Sequence, residues 1–130
     1  MQFASVRLVT KDVDRLAEFY RSILRSEPER PAPEFANFRF GQVSLAICAE
    51  QIVTRFNAGA AVAAANRSAL IEFEVDDVDA FHAEFSGRVD IAMAPATMPW
   101  GNRSMLLRDP DGNVVNVFVR PRPGQAPRPA

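Results

Sequence analysis

Apolar and polar positions alternate at the start of the chain. Val6 and Leu8 fall on one face of an extended segment, and Ser5, Arg7 and Val9 on the other. A period of two marks a half-buried strand. The period then lengthens. Asp12 or Asp14 can cap a helix whose stripe is Val13, Leu16, Tyr20, Ile23 and Leu24. Two further strands are expected at 35–40 and 43–48, joined by a tight turn at Gly41-Gln42.

The same programme is then written again. Thr10-Lys11-Asp12-Val13-Asp14 returns as Val75-Asp76-Asp77-Val78-Asp79, an offset of 65 residues, with Asp-Val-Asp in register. At that offset Val6 meets Ile71, Leu8 meets Phe73 and Tyr20 meets Phe85. Ile71, Phe73 and Val75 share one face of a strand, and Leu70, Glu72 and Glu74 the other. Asp77 can cap a helix bearing Val78, Phe81 and Phe85. Strands are expected at 89–98, 103–108 and 113–119, the last two joined by Asp109-Pro110-Asp111-Gly112, whose residues all favour turns. A repeat on this scale means one supersecondary unit used twice. The fold class is therefore α+β, two tandem β-α-β-β-β units. Unit one spans about 1–50, a connector about 51–68 with at most a short helix at 49–56, and unit two about 69–120. Residues 121–130, rich in proline, are expected to be a disordered tail.

Composition adds exclusions. Fifteen Lys+Arg against 16 Asp+Glu, with no basic block, argue against a nucleic-acid partner. No apolar run is long enough to cross a membrane, and no secretory signal is recognisable at the N-terminus. Cys48 is the only cysteine, so no intrachain disulfide can form; a cytoplasmic location is expected.

Several motifs together carry a family likeness: Lys11-Asp12-Val13-Asp14 with Phe19-Tyr20, then Phe38-Arg39-Phe40-Gly41 through Leu45-Ala46-Ile47. Phe73-Glu74-Val75-Asp76-Asp77 follows, then Pro99-Trp100-Gly101-Asn102-Arg103 and Arg108-Asp109-Pro110-Asp111-Gly112-Asn113. The chain resembles the vicinal-oxygen-chelate superfamily (glyoxalase, bleomycin resistance protein, dioxygenase) over residues 3–120. The resemblance implies curved mixed sheets forming a cleft, helices outside, and usually a homodimer. It also implies, in the metal-dependent members, four inward ligands of His, Gln or Glu type. Those positions fall here on Ser5, Ala46, Leu70 and Asn116. Leucine and alanine cannot ligate, and serine and asparagine are weak neutral donors. No metal and no cofactor is therefore expected, and the likeness is to the non-metal, bleomycin-resistance-like branch.

The cleft lining expected from the strand faces is Ser5, Arg7, Ser44, Ala46, Leu70, Glu72, Asn116 and Phe118. Phe38 and Trp100 add aromatic surface, and Arg103 and Met105 join if the last hairpin pairs simply across its four-residue turn, whereas a bulge near Gly112 would flip them to the other face. Glu72, on a strand expected to be buried, is the one candidate acid/base, with a perturbed pKa and Arg7 or Arg103 as partner; a structural ion pair, or an exposed edge if the cleft is open, is the competing expectation. His82, the only histidine, borders the apolar stripe of the second helix and is expected to be a boundary residue. The function expected is metal-free binding of a small aromatic or hydrophobic molecule, in the sense of drug or toxin sequestration. The alternatives are a metal-independent lyase or isomerase using Glu72 and, disfavoured by the ligand positions, a metal-dependent glyoxalase or dioxygenase.

Overall fold

The computed structural model describes residues 1–122; residues 123–130, most of the expected tail, lie outside the described residues. The chain divides into two compact units, Met1–Asn66 and a second from Arg67 onward. Each is a sheet with a helix laid on one face.

The first unit opens with β1 (Ser5–Thr10) and α1 (Val13–Leu24), followed by β2 (Phe35–Phe40) and β3 (Val43–Ala49). Strand order is β1-β3-β2, parallel between β1 and β3 and antiparallel between β2 and β3. Asp12 starts α1 by accepting the Arg15 N–H at 3.0 Å, and Arg25, in the left-handed region at φ 51°, ends it. The buried stripe Val13, Leu16, Ala17, Tyr20 and Ile23 lies on the sheet face carrying Leu8, Ala36, Phe38, Leu45 and Ile47. Gly41, at φ 62°, makes the β2–β3 turn that few other residues could make without strain.

A fourth strand is reduced here to one bridge. Glu29 and Asn37 exchange both backbone hydrogen bonds at 2.9 Å, and the ladder stops there. Pro28, Pro31 and Pro33 surround Glu29 and bring no N–H to extend it. The segment read from sequence as a connector carries α2 (Glu50–Phe56), which packs across β1 and β3.

The second unit completes the pattern: β4 (Leu70–Glu74), α3 (Val78–Phe85), β5 (Asp90–Thr97), β6 (Arg103–Arg108) and β7 (Val114–Val119), ordered β4-β7-β6-β5. Asp77 caps α3 by accepting the Ala80 N–H at 3.0 Å, as Asp12 caps α1. Val78 and Phe85 of α3 are buried, as are Met105, Leu107, Val115 and Val117 on β6 and β7. Pro95 is tolerated because β5 is an edge strand, and its pairing with β6 shifts register twice. No described helix is long and apolar enough to cross a membrane.

Candidate functional site

In both units the sheet face opposite the long helix holds most of the residues singled out from sequence. On the first unit Ser5 pairs with Ser44, Arg7 with Ala46 and Val9 with Cys48, so these side chains share one face. Ser5 and Arg7 are exposed, and Ser44 and Ala46 half-buried. Asn37 of β2 donates its amide to Ser44 Oγ at 3.4 Å, a long contact. Arg7 Nη2 donates to Asn57 Oδ1 at 2.8 Å, which ties this face to the end of α2. Cys48 on the same face is fully buried, and burial pushes its thiol up from 9.0, partly opposed by the nearby Arg7 charge. Such a thiol is a poor nucleophile. Asn57 escaped the sequence reading. Its only signal was the apolar spacing Ile52, Val53, Phe56, which makes a helix that must end near it.

On the second unit Leu70 pairs with Val114, Glu72 with Asn116 and Glu74 with Phe118 in a parallel ladder. The repeat offset and this register make Ser5, Arg7 and Ala46 the counterparts of Leu70, Glu72 and Asn116. Glu72 does not lie on a buried strand as expected, because β4 is an edge strand and Glu72 is exposed. Its carboxylate accepts the Asn116 Nδ2–H at 2.7 Å, while Asn116 Oδ1 is buried without a hydrogen-bond partner. Leu70 is 50 % exposed and Phe118 half-buried. Glu74 is held below the ordinary carboxylate value by hydrogen bonds from Arg120 at 2.6 and 2.9 Å.

Three expected lining residues sit elsewhere. Phe38 is fully buried on the α1 side, paired with Leu45, its ring 6.4 Å from that of Tyr20. Met105 is fully buried on the α3 side, paired with Val117. Arg103 shares that side and donates to both carboxylate oxygens of Asp79 on α3, at 2.8 and 3.0 Å, and to Thr97 Oγ1 at 3.1 Å. For Met105 and Arg103 the reason is one residue of loop. Asp109 N–H bonds Asn113 O at 2.9 Å, so the turn runs from Asp109 to Asn113 and Arg108 pairs with Val114. A four-residue turn would have paired Met105 with Asn116; the fifth residue reverses the faces. Trp100 stands in the β5–β6 turn, 69 % exposed. His82 is half-buried on α3.

The four positions that the resemblance assigns to metal ligands hold Ser5 and Ala46 in the first unit and Leu70 and Asn116 in the second. Ala46 and Leu70 carry no donor atom, and Asn116 gives its Nδ2–H to Glu72 and keeps a neutral amide oxygen. Among the described residues no three His, Cys, Asp or Glu side chains converge.

Repeated βαβββ-type units with sheet faces opposite their long helices define a small class of proteins, and comparison with known ones places the chain within it. A family model of the glyoxalase-like domain matches residues 3–119, and the chain belongs to that family. A glyoxalase/bleomycin resistance protein/dioxygenase from Nocardioides superposes with a TM-score of 0.78 at 22 % identity, covering 100 % of this chain and 90 % of that one. A glyoxalase-related enzyme from Fulvimarina pelagi gives 0.79 at 19 %, covering 92 % and 88 %. A lactoylglutathione lyase from Agrobacterium tumefaciens gives 0.71 at 25 %, covering 91 % and 92 %. No curated protein matches the sequence.

Proposed function

We propose that this protein captures a small molecule with an aromatic or otherwise apolar body, without a metal ion and without chemical turnover. The observation that carries the proposal is the donor set: serine, alanine, leucine and asparagine stand where metal-dependent relatives need four strong ligands. What those positions offer instead is apolar surface at Leu70 beside the Glu72–Asn116 pair, with Phe118 two residues along β7. An apolar surface with a few placed polar groups suits a small organic ligand. Trp100, largely exposed, supplies a further flat surface. The physiological sense would be sequestration of a drug or toxin in the cytoplasm by a homodimer.

Trp100 is the only tryptophan, so its emission reports directly on binding. Chelator-treated protein should be titrated with neutral planar aromatic compounds. Saturable quenching that survives excess EDTA, with no stoichiometric transition metal by elemental analysis, supports metal-free capture. Binding that disappears with EDTA and returns with zinc, nickel or manganese would reject it. Light scattering should report twice the 14.4 kDa chain mass.

One observation favours a second reading, a metal-independent lyase or isomerase: the Asn116 amide aims the Glu72 carboxylate. Slow loss of a bound compound as product, abolished in Glu72→Gln with binding intact, would establish that reading in place of simple capture.

A further inference from the structure

Beside the capture proposal, which draws on the second unit, we infer that the open face of the first unit is an oxyanion subsite. It takes the carboxylate or phosphate-type group of a small ligand. The argument starts from side-chain length across the sheet. On this face the middle strand, β3, presents Ser44 and Ala46. Its neighbours present longer groups: Arg7 of β1 stands beside Ala46, and Asn37 and Arg39 of β2 stand beside Ala46 and Ser44. Short side chains between longer ones leave a trough whose floor is Ser44 and Ala46, both half-buried.

The groups around that trough donate. Arg7 gives one N–H to the neutral Asn57 Oδ1 at 2.8 Å, which anchors the guanidinium and leaves the rest of its fork unassigned. Among the described residues no carboxylate pairs with Arg7. Ser5, beside Ser44, has no side-chain hydrogen bond among them either, and Ser44 Oγ accepts only the long 3.4 Å contact from Asn37. Both hydroxyl protons are therefore open to a ligand. Negative charge nearby is matched or distant. Arg39 holds Glu29 at 3.1 and 3.4 Å, and Glu50 stands at the opposite end of α2 from the Arg7–Asn57 contact. The second unit's face has a cation too, Arg108, but there it lies across from Asp90 and shares the face with Glu72. On the first unit an oxyanion accepts from a guanidinium and two hydroxyls at once. Charge-assisted, fork-shaped donation of this kind favours it over a neutral hydroxyl, and a cation is repelled.

The test uses four compounds with one ring system: 1-naphthyl phosphate, 1-naphthoate, naphthalen-1-ylmethanol and naphthalen-1-ylmethylammonium. Binding is measured by calorimetry at low ionic strength on wild type, Arg7→Gln, Ser44→Ala and Arg108→Gln, each first shown to melt cooperatively. At least one acid should bind about tenfold or more tighter than the alcohol, with the ammonium weakest. Whichever acid leads fixes the occupant as a phosphate-type or a carboxylate group. Arg7→Gln should erase the advantage over the alcohol, Ser44→Ala should reduce it about threefold or more, and Arg108→Gln should leave it intact. Amide shifts in nitrogen–proton correlation spectra of wild type give a measurement that needs no variant. On adding the tighter acid, the largest saturable shifts should fall on Ser5, Arg7, Ser44 and Ala46.

Equal affinity for acids and alcohol, or an advantage that survives Arg7→Gln and disappears in Arg108→Gln, would overturn the inference. Shifts confined to the second unit would overturn it as well, even if Arg7→Gln fails to fold. The capture proposal stands or falls separately. If neutral aromatics leave Trp100 emission unchanged while an acid binds through Arg7, capture is rejected and the oxyanion subsite remains.

Discussion

Arg7 and Glu72 hold equivalent positions in the two units and carry opposite charges. Arg7 faces Ala46 across a parallel ladder as Glu72 faces Asn116, 65 residues further on in sequence. The repeat preserved the strand, the aspartate cap and the register, while the open-face positions changed freely. Backbone frame and chemistry are thus separable in this fold, and function is written in the second.

Arg7 also fastens α2 through Asn57, over the face that buries Cys48. Arg7→Ala should therefore raise the rate at which a thiol reagent labels Cys48. The electrostatic effect alone runs the other way, since Arg7 lowers the Cys48 pKa and its loss would leave less thiolate. Faster labelling in the variant would thus report opening of α2; an unchanged or slower rate would show that Asn57 does not hold it.

Glu74 gives the pH dependence a sign. Its carboxyl titrates below 4.5 in the folded chain because Arg120 donates to it. The stabilisation is complete above that value and disappears as pH falls through the folded pKa. Melting temperature should accordingly drop below about pH 4.5, and drop less steeply in Glu74→Gln. The pair is exposed, so added salt should shrink the difference between the two proteins.

Met105 and Arg103 should behave as structural residues of the second unit. Met105→Ala should cost about 2–5 kcal/mol in chemical denaturation, the range for emptying a core methionine site. Arg103→Ala, which removes a bidentate but partly exposed pair with Asp79, should cost about 1 kcal/mol. Ligand affinity should be unchanged in Arg103→Ala. A tenfold loss there with stability intact would return Arg103 to the binding face.

Most of the frame was legible because it is periodic. Asp12 and Asp77 cap their helices, Val6, Leu8, Ile71 and Phe73 share the expected faces, and the hairpin partners are as read. What escaped depends on counting single residues or on distant partners. The fifth loop residue, Asn113, turned Met105 and Arg103 to the helix side, a flip that the sequence left open beside simple pairing without deciding between them. Phe38 alternates correctly with Phe40 and Ala36, yet alternation alone does not say which face is inside. Its contact with Tyr20, 18 positions earlier, decides that. Glu72 was expected on a buried strand, with an exposed edge as the alternative, and β4 is an edge, because strand order depends on distant pairing that alternation does not reveal.

That loop offers its own test. Asp109, 4 % exposed, accepts from Asp111 N–H at 2.9 Å and Asn113 N–H at 3.0 Å through one oxygen, and from the Asn113 amide at 2.8 Å through the other. Asp109→Ala strands these donors and should cost about 2–4 kcal/mol, since each buried donor left unmet carries a penalty of about 1–3 kcal/mol. Gly112 sits at φ 83° in the same loop, and Gly112→Ala should cost about 1 kcal/mol from backbone strain alone, because its missing Cβ would meet open space. Denaturant unfolding of both variants should rank them in that order.

Trp100 separates packing from recognition. The turn that carries it is built by the backbone, with Met98 N–H bonded to Asn102 O at 2.7 Å and Gly101 N–H to Met98 O at 2.9 Å. Neither bond involves the indole, and the ring is 69 % exposed. Trp100→Ala should therefore change unfolding free energy by no more than about 0.5 kcal/mol, the usual size for a surface site. If the ring stacks on a captured aromatic compound, the same substitution should weaken binding by about 1–3 kcal/mol, read by calorimetry because the fluorescent probe is gone. A third pattern has a distinct signature. Should Trp100 instead lie between two copies of the chain, the variant's melting temperature would fall and depend more steeply on protein concentration. Unchanged stability with unchanged ligand affinity would remove Trp100 from the binding surface and leave Leu70 and Phe118 as its apolar part.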